Sequence, residues 1–272
     1  MGDVTLEQRI GLSTLCLRGI PLEEAIDRAV DAGFGGFELT PITYGGPEVF
    51  DQSRCEDLRK RFEAFHTVTV HSSGMGGADI CSSDGSHRQK SREGYLGLLR
   101  VAREVGAGTV TFHPGRGDSQ KQQKADVLSE NISFGRVLCV AASNLNVRMG
   151  YELFDHDVAE EIGCPEFGVL FDIGHASRRG PEVTTDDVIR MIDDLSDQTV
   201  QYHVHGVGDP DKTDHLPFAQ SKWLDYGRII PHIEAKGFKG PIILEVGIRD
   251  EDWERNIEDC LAAKQGIIDA AG

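Results

Sequence analysis

The sequence holds 272 residues, of which 39% are hydrophobic and 27% charged, a balance that supplies a packed core and excludes collagenous, coiled-coil and disordered chains. With 45 acidic against 28 basic residues the formal net charge is −17 at pH 7. That field repels phosphate backbones and anionic membrane surfaces, so neither nucleic acid nor membrane is an expected partner. No run approaches the roughly 18 apolar residues of a membrane span, and the stretch up to Ile20 carries charges where a secretory leader is apolar, so a cytoplasmic protein is expected. The six cysteines (Cys16, Cys55, Cys81, Cys139, Cys164, Cys260) include no Cys-x-x-Cys pair and read as buried free thiols.

In chain order, short runs rich in Val, Ile and Phe are the predicted strands: Ile10 to Leu17, Gly36 to Leu39, Thr67 to His71, Thr109 to His113, Arg148 to Leu153, Gly168 to Asp172, Val200 to His205, and Pro241 to Val246. Helical periodicity fills the intervals. Pro21 to Ala32 opens on a proline and stops at Gly33; Tyr95 to Val105 carries Leu98, Leu99, Ala102 and Val105 on one face and ends at Gly106. Eight strands each followed by a helix predict a single-domain (β/α)8 TIM barrel over residues 1–272, in preference to an open doubly wound sheet. The irregular stretches Ser72 to Lys90, Pro114 to Gln123 and Gly206 to Lys222 all follow a strand, on the side where a barrel builds its active site.

Position then turns scattered letters into a constellation. Glu38, His71, His113, Glu152, Asp172, His205 and Glu245 stand at or near the C-terminal ends of the predicted strands, which converge on one mouth in a parallel barrel. Charged groups in apolar runs lose several kcal/mol of hydration unless partnered, and a divalent cation removes that cost. The best four ligands are Glu152, Asp172, His205 and Glu245. Three carboxylates and an imidazole suit one Mn²⁺, Mg²⁺, Co²⁺ or Zn²⁺ ion, and the choice among them is not readable. His175, one turn beyond Asp172, is placed to bind a substrate oxygen or a second metal, or to cap the following segment. His203 and His205 share a strand face; the one nearer the mouth is assigned to the metal and His203 to support or packing. His71 and His113 line the pocket or partner the carboxylates, and Glu38 binds a substrate hydroxyl or braces the barrel. Gly74-Met75-Gly76-Gly77 lacks the Lys-Ser/Thr ending of a nucleotide loop and reads as a flexible segment.

Phe112-His113-Pro114-Gly115, Phe171-Asp172-Ile173-Gly174-His175-Ala176, His203-Val204-His205, Asp214-His215-Leu216-Pro217 before Leu224-Asp225-Tyr226, and Gly240-Pro241-Ile242-Ile243-Leu244-Glu245 together resemble the xylose isomerase-like barrel superfamily. Its members include sugar and sugar-phosphate isomerases and epimerases, inosose and dehydroshikimate dehydratases, and endonuclease IV. The resemblance spans Ile10 to about Ile268. It implies a metal-dependent isomerase or epimerase acting on a small sugar, sugar phosphate or polyol-derived ketone, with Glu152 and Glu245 serving both as metal ligands and as the acid/base pair. A dehydratase on the same scaffold, an endonuclease IV-like DNA hydrolase and a non-catalytic sugar-binding barrel are the alternatives, in that order. Association into a homo-oligomer is compatible with the sequence.

Two departures narrow the reading. Members that epimerise ketohexoses at C3 carry a Glu six residues after the first metal-binding Glu and an Arg six after the metal-binding His. Val158 and Asp211 stand there, so that substrate is not assigned. Endonuclease IV separates the Asp and His of its metal-binding loop by one residue, whereas Asp214 and His215 are adjacent and are expected to point differently.

Overall fold

The computed structural model describes residues 4–72, 79–117, 124–152, 156–180, 182–208, 213–248 and 252–272, without the side chains of residues 125, 156 and 157. The Gly74 to Gly77 stretch, Leu153 and Asp211 lie outside the described residues. In chain order the elements are α1 (Leu6–Arg9), β1 (Ile10–Ser13), α2 (Leu22–Asp31), β2 (Gly36–Leu39), α3 (Gln52–Phe62), β3 (Thr67–Val70), α4 (Gly85–Val105), β4 (Thr109–Phe112), α5 (Lys124–Leu145), β5 (Arg148–Tyr151), α6 (His156–Ile162), β6 (Phe167–Asp172), α7 (Ile173–Ser177), α8 (Thr185–Leu195), β7 (Thr199–Val204), α9 (Tyr226–Ala235), β8 (Ile242–Leu244) and α10 (Trp253–Ala271). The strands run β1 to β8 in sequence order round a closed parallel barrel. Most are buried along their whole length, as parallel strands covered on both faces must be. Among the described residues no helix is long and apolar enough to cross a membrane.

All eight predicted strands form, and their ends differ for local reasons. After Ser13 the chain tightens into a 3₁₀ turn over Thr14–Leu17, with the Ser13 hydroxyl accepting the Leu15 N–H, so the first apolar run is only half strand. The long helix α4 begins ten residues before the predicted Tyr95 start, because Asp84 caps it by accepting the N–H groups of Ser86 and His87. Its opening turns are Gly-Ser-His-Arg-Gln-Lys, which bear no apolar stripe for periodicity to detect.

The chain resolves into two compact units. The first comprises Met1–Glu38, Glu63–Thr67 and Phe171–Gly272. In it β7, β8, β1 and β2 pair in parallel, with His203 beside Ile243, Leu12 beside Leu244 and Ser13 beside Glu38. Arg9 is fully buried and donates from Nη2 to both carboxylate oxygens of Glu234 at 2.7 Å, tying α1 to α9.

The second unit comprises Leu39–Phe62 and Val68–Leu170. Its strands β3, β4, β5 and β6 pair in parallel, Phe112 beside Tyr151 and Tyr151 beside Val169. Tyr95, Phe112, Phe134, Tyr151 and Phe167 pack ring against ring in its core, supplying directional as well as hydrophobic stabilisation. Here the expectation of six free thiols is corrected. Cys139 of α5 and Cys164 after α6 form a disulfide, while Cys16, Cys55, Cys81 and Cys260 are free and buried. The two bonded cysteines lie 25 residues apart, and only the packing of α6 on α5 makes them neighbours.

Replacing Arg9 by Ala leaves the Glu234 carboxylate without its buried partner, and urea unfolding is expected to register a loss of about 3 kcal/mol. A variant within 0.5 kcal/mol of the parent would mean that this ion pair does not secure α1.

Candidate functional site

In the first unit the site begins at the end of β6. Asp172 is fully buried and caps α7, its Oδ1 accepting the backbone N–H of His175 at 2.8 Å. That cap brings the next helical turn back over it, so His175 Nδ1 lies 2.9 Å from Asp172 Oδ2. From the end of β7, His205 sets Nε2 3.1 Å from Asp172 Oδ1. Burial alone would raise the Asp172 pKa, but His175 and His205 reverse that and hold it well below the usual carboxylate value.

His215 completes this side. Its φ of 57° lies in the left-handed region that non-glycine residues seldom occupy, and three hydrogen bonds hold it there. Its N–H donates to His205 Nδ1 at 2.9 Å, its Nδ1 lies 2.9 Å from the Glu245 carbonyl oxygen, and its own carbonyl accepts from Gly247 N–H at 2.8 Å. Because a carbonyl only accepts, the Nδ1 proton is fixed and the Nε2 lone pair is available. Burial, the largest cause, lowers the His215 pKa to about 4. One ligand atom from each of His175, His205 and His215 lies within 4.8 Å of the others, close enough to serve one cation. Buried Asp214 pairs with Arg178 and stands 3.5 Å from His175 Nε2. A cavity of about 280 Å³ lined by Asp214, His215, Gln220, Gly247, Arg255 and Asn256, among others, flanks this loop.

Asp214 and His215 both flank His175: His175 Nε2 is 3.5 Å from Asp214 Oδ2, and its ring centre is 5.3 Å from that of His215. Neither residue belonged to the assigned site. The signal that could have found them is two metal-competent side chains in the loop directly after a strand that ends in one.

The same unit buries a second group. Glu38, at the end of β2, is 0% exposed, as is His203, and Glu245 is 2% exposed. His203 Nε2 lies 3.1 Å from Glu38 Oε2, and His203 Nδ1 lies 3.5 Å from Glu245 Oε2. Burial would lower the His203 pKa; the charges of Glu245 and Glu38 outweigh it and raise it well above 6.5.

The second unit holds His71, His113 and Glu152. Glu152 Oε2 lies 2.7 Å from His113 Nε2 and 3.5 Å from His71 Nε2, and ligand atoms of the three fall within 4.8 Å of one another. Ser72 Oγ sits 2.9 Å from His113 Nδ1, and the Tyr95 hydroxyl donates to the His113 carbonyl at 2.9 Å, so both the ring and the backbone of His113 are oriented. Val158, at the position of the epimerases' second Glu, is buried on α6. The eight residues assigned from sequence thus fall into two sets: Glu38, Asp172, His175, His205 and Glu245 in the first unit, and His71, His113 and Glu152 in the second.

A model of the family described as xylose isomerase-like TIM barrel matches residues 26–264. The chain belongs to the xylose isomerase-like TIM barrel family. Among solved structures it is similar to a D-tagatose 3-epimerase-like protein (16% identity, TM-score 0.77, 97% of this chain and 98% of that one). It is also similar to the IOLI protein with a binding zinc atom (14% identity, TM-score 0.75, 97% and 98%). In sequence it is 19% identical to an uncharacterised protein, MJ1311, of Methanocaldococcus jannaschii, over 96% of this chain and 88% of that one. At these identities the likeness establishes the fold, and the chemistry must be argued from the side chains.

Two tests follow from the geometry. A Cβ on Gly174 would stand 1.9 Å from His205 Cε1, so Gly174→Ala must displace the imidazole. We expect a stability loss of about 1–3 kcal/mol that disappears when the same change is made in a His205→Ala background; an equal loss in both backgrounds would show that the ring does not require this glycine. The second test is acid sensitivity. His215 is neutral when folded down to about pH 4 but takes up a proton near 6.5 when unfolded. Its contribution is therefore fully present above pH 6.5 and lost as pH falls toward 4, roughly 3 kcal/mol in all. Chemical unfolding in chelator at pH 7 and pH 4.5 should show that fall in the parent and a flatter dependence in His215→Gln; parallel curves would contradict it.

Proposed function

We propose that this chain is a divalent-metal-dependent enzyme that isomerises or epimerises a small sugar, sugar phosphate or polyol-derived ketone. The observation that carries the reading is the cluster of buried Asp172, His205 and His215 with the partly exposed His175, beside Glu245. Carboxylate oxygens and imidazole nitrogens gathered in this way fit Mn²⁺, Mg²⁺, Co²⁺ or Zn²⁺. Glu152, Asp172, His205 and Glu245 are the residues we assign to hold that ion. When bound, it supplies positive charge that stabilises the oxyanion developing as a carbonyl substrate enolises.

The protein's own share is proton transfer and orientation. The Glu245 carboxylate takes the proton from the carbon beside the carbonyl, and the carboxyl group of Glu152 returns one to that carbon or to its neighbour. Return to the same carbon from the opposite face is epimerisation; return to the neighbour, with the hydroxyl proton passing to the former carbonyl oxygen, is isomerisation. His113, oriented by Ser72 and partly exposed, and His175, partly exposed beside Asp172, are assigned to substrate hydroxyls, as is His71, which packs against His113.

Incubation in D₂O with Mn²⁺ and a panel of ketoses, inososes and 3-keto sugars tests this. We expect deuterium uptake next to the carbonyl of at least one compound, and a fall of at least about 100-fold in Glu152→Gln and in Glu245→Gln with circular dichroism unchanged. Undiminished exchange in both variants would overturn the roles, and cleavage of abasic DNA without any exchange would favour the nuclease alternative.

A further inference from the structure

The group formed by Gln201, Glu38 and His203 lies outside the acid/base chemistry just described. Alternation along β7 puts Gln201, His203 and His205 on one strand face, with Val200, Tyr202 and Val204 on the other. The polar face ascends from an amide to a buried imidazole to the assigned metal ligand. Gln201 Nε2 donates to Glu38 Oε2 at 2.6 Å, and the same oxygen receives His203 Nε2 at 3.1 Å. Across the imidazole, Nδ1 stands 3.5 Å from Glu245 Oε2. Glu38, Gln201 and His203 are each 0% exposed.

Such a group does not repay its desolvation in stability, since apolar residues of the same volume fill a core at lower cost. What it supplies is geometry. Glu38 and Gln201 hold one edge of the imidazole, so the opposite edge faces Glu245 in one orientation. Imidazole–carboxylate support of this kind typically tunes metal affinity at a neighbouring ligand.

We propose that His203, anchored by Glu38, is a positioning residue for Glu245, fixing one carboxylate oxygen so that the group stands ready to bind the cation and to move the proton. The proposal rests on the assignment of Glu245 as a ligand under the function proposed above. It commits the two edges of the ring to different tasks: Nδ1 acts on Glu245 and Nε2 serves only to anchor.

That division gives the test. An asparagine amide nitrogen occupies about the place of Nδ1 and a glutamine amide nitrogen about that of Nε2, so His203→Asn keeps the donor toward Glu245 and His203→Gln does not. Mn²⁺ binding to the full-length protein is measured by isothermal titration calorimetry, with thermal midpoints in parallel. We expect His203→Ala and His203→Gln to weaken Mn²⁺ binding about 10–100-fold, and His203→Asn to stay within about 3-fold of the parent. Adding Glu38→Gln to His203→Gln should cost nothing further, because Glu38 acts through the ring. Equal effects of Asn and Gln, or unchanged affinity in a folded His203→Gln, would overturn the proposal and leave His203 a packing residue. Glu245→Gln separates the two levels: if it leaves Mn²⁺ affinity intact, the ligand assignment itself fails; if it weakens binding while His203→Gln does not, only the positioning role fails.

Discussion

A carboxylate taken out of water must find a partner or give up its charge, and Asp172 is fully buried at the end of β6. Two imidazoles and a backbone N–H meet it there. Both imidazoles are constrained in turn: His175 by the helix that Asp172 caps, and His205 by the backbone of His215, which the carbonyl of Glu245 holds. A chain of hydrogen bonds thus runs from this desolvated acid through His205 and His215 to Glu245, linking the ends of β6, β7 and β8. Gly174 is one consequence, since the ring of His205 occupies the volume a side chain would need. The left-handed backbone at His215 is a local strain, held in place by three hydrogen bonds.

How much of this the sequence discloses depends on the range of the interaction. The strands are legible because a parallel strand covered on both faces is a short apolar run whatever surrounds it, and the polar residues that end those runs are legible because they interrupt that pattern. Asp172, His205, Glu245 and Glu152 stand out for this reason. The start of α4 is not legible, since Asp84 and a polar first turn define it rather than any apolar stripe. Nor is the Cys139–Cys164 bond, which requires knowing that α5 and α6 lie side by side. The approach of Asp214 and His215 to His175 comes from tertiary packing that the sequence does not display. His203 is visible in the sequence as half of His-Val-His, but its partners come from β2 and from the residue after β8, so its place between two carboxylates emerges only in three dimensions.

The family relationship and the chemistry stand on different footings. A barrel of this type is shared with structures 14–16% identical in sequence, a distance at which the fold alone is established. Buried carboxylates and imidazoles would be costly to retain without a task, which is why the site rather than the scaffold carries the functional reading. Val158, buried on α6, leaves the substrate of the proposed chemistry to be identified by experiment rather than by likeness.

The central claim is that Glu152, Asp172, His205 and Glu245 share one ion. Anomalous diffraction at the zinc edge from crystals grown with Zn²⁺ tests it most directly. A single strong peak about 2.0–2.2 Å from an oxygen of each carboxylate and from a nitrogen of His205 is the predicted result. A map with no peak among these side chains, or with zinc held only by residues elsewhere, would contradict the account.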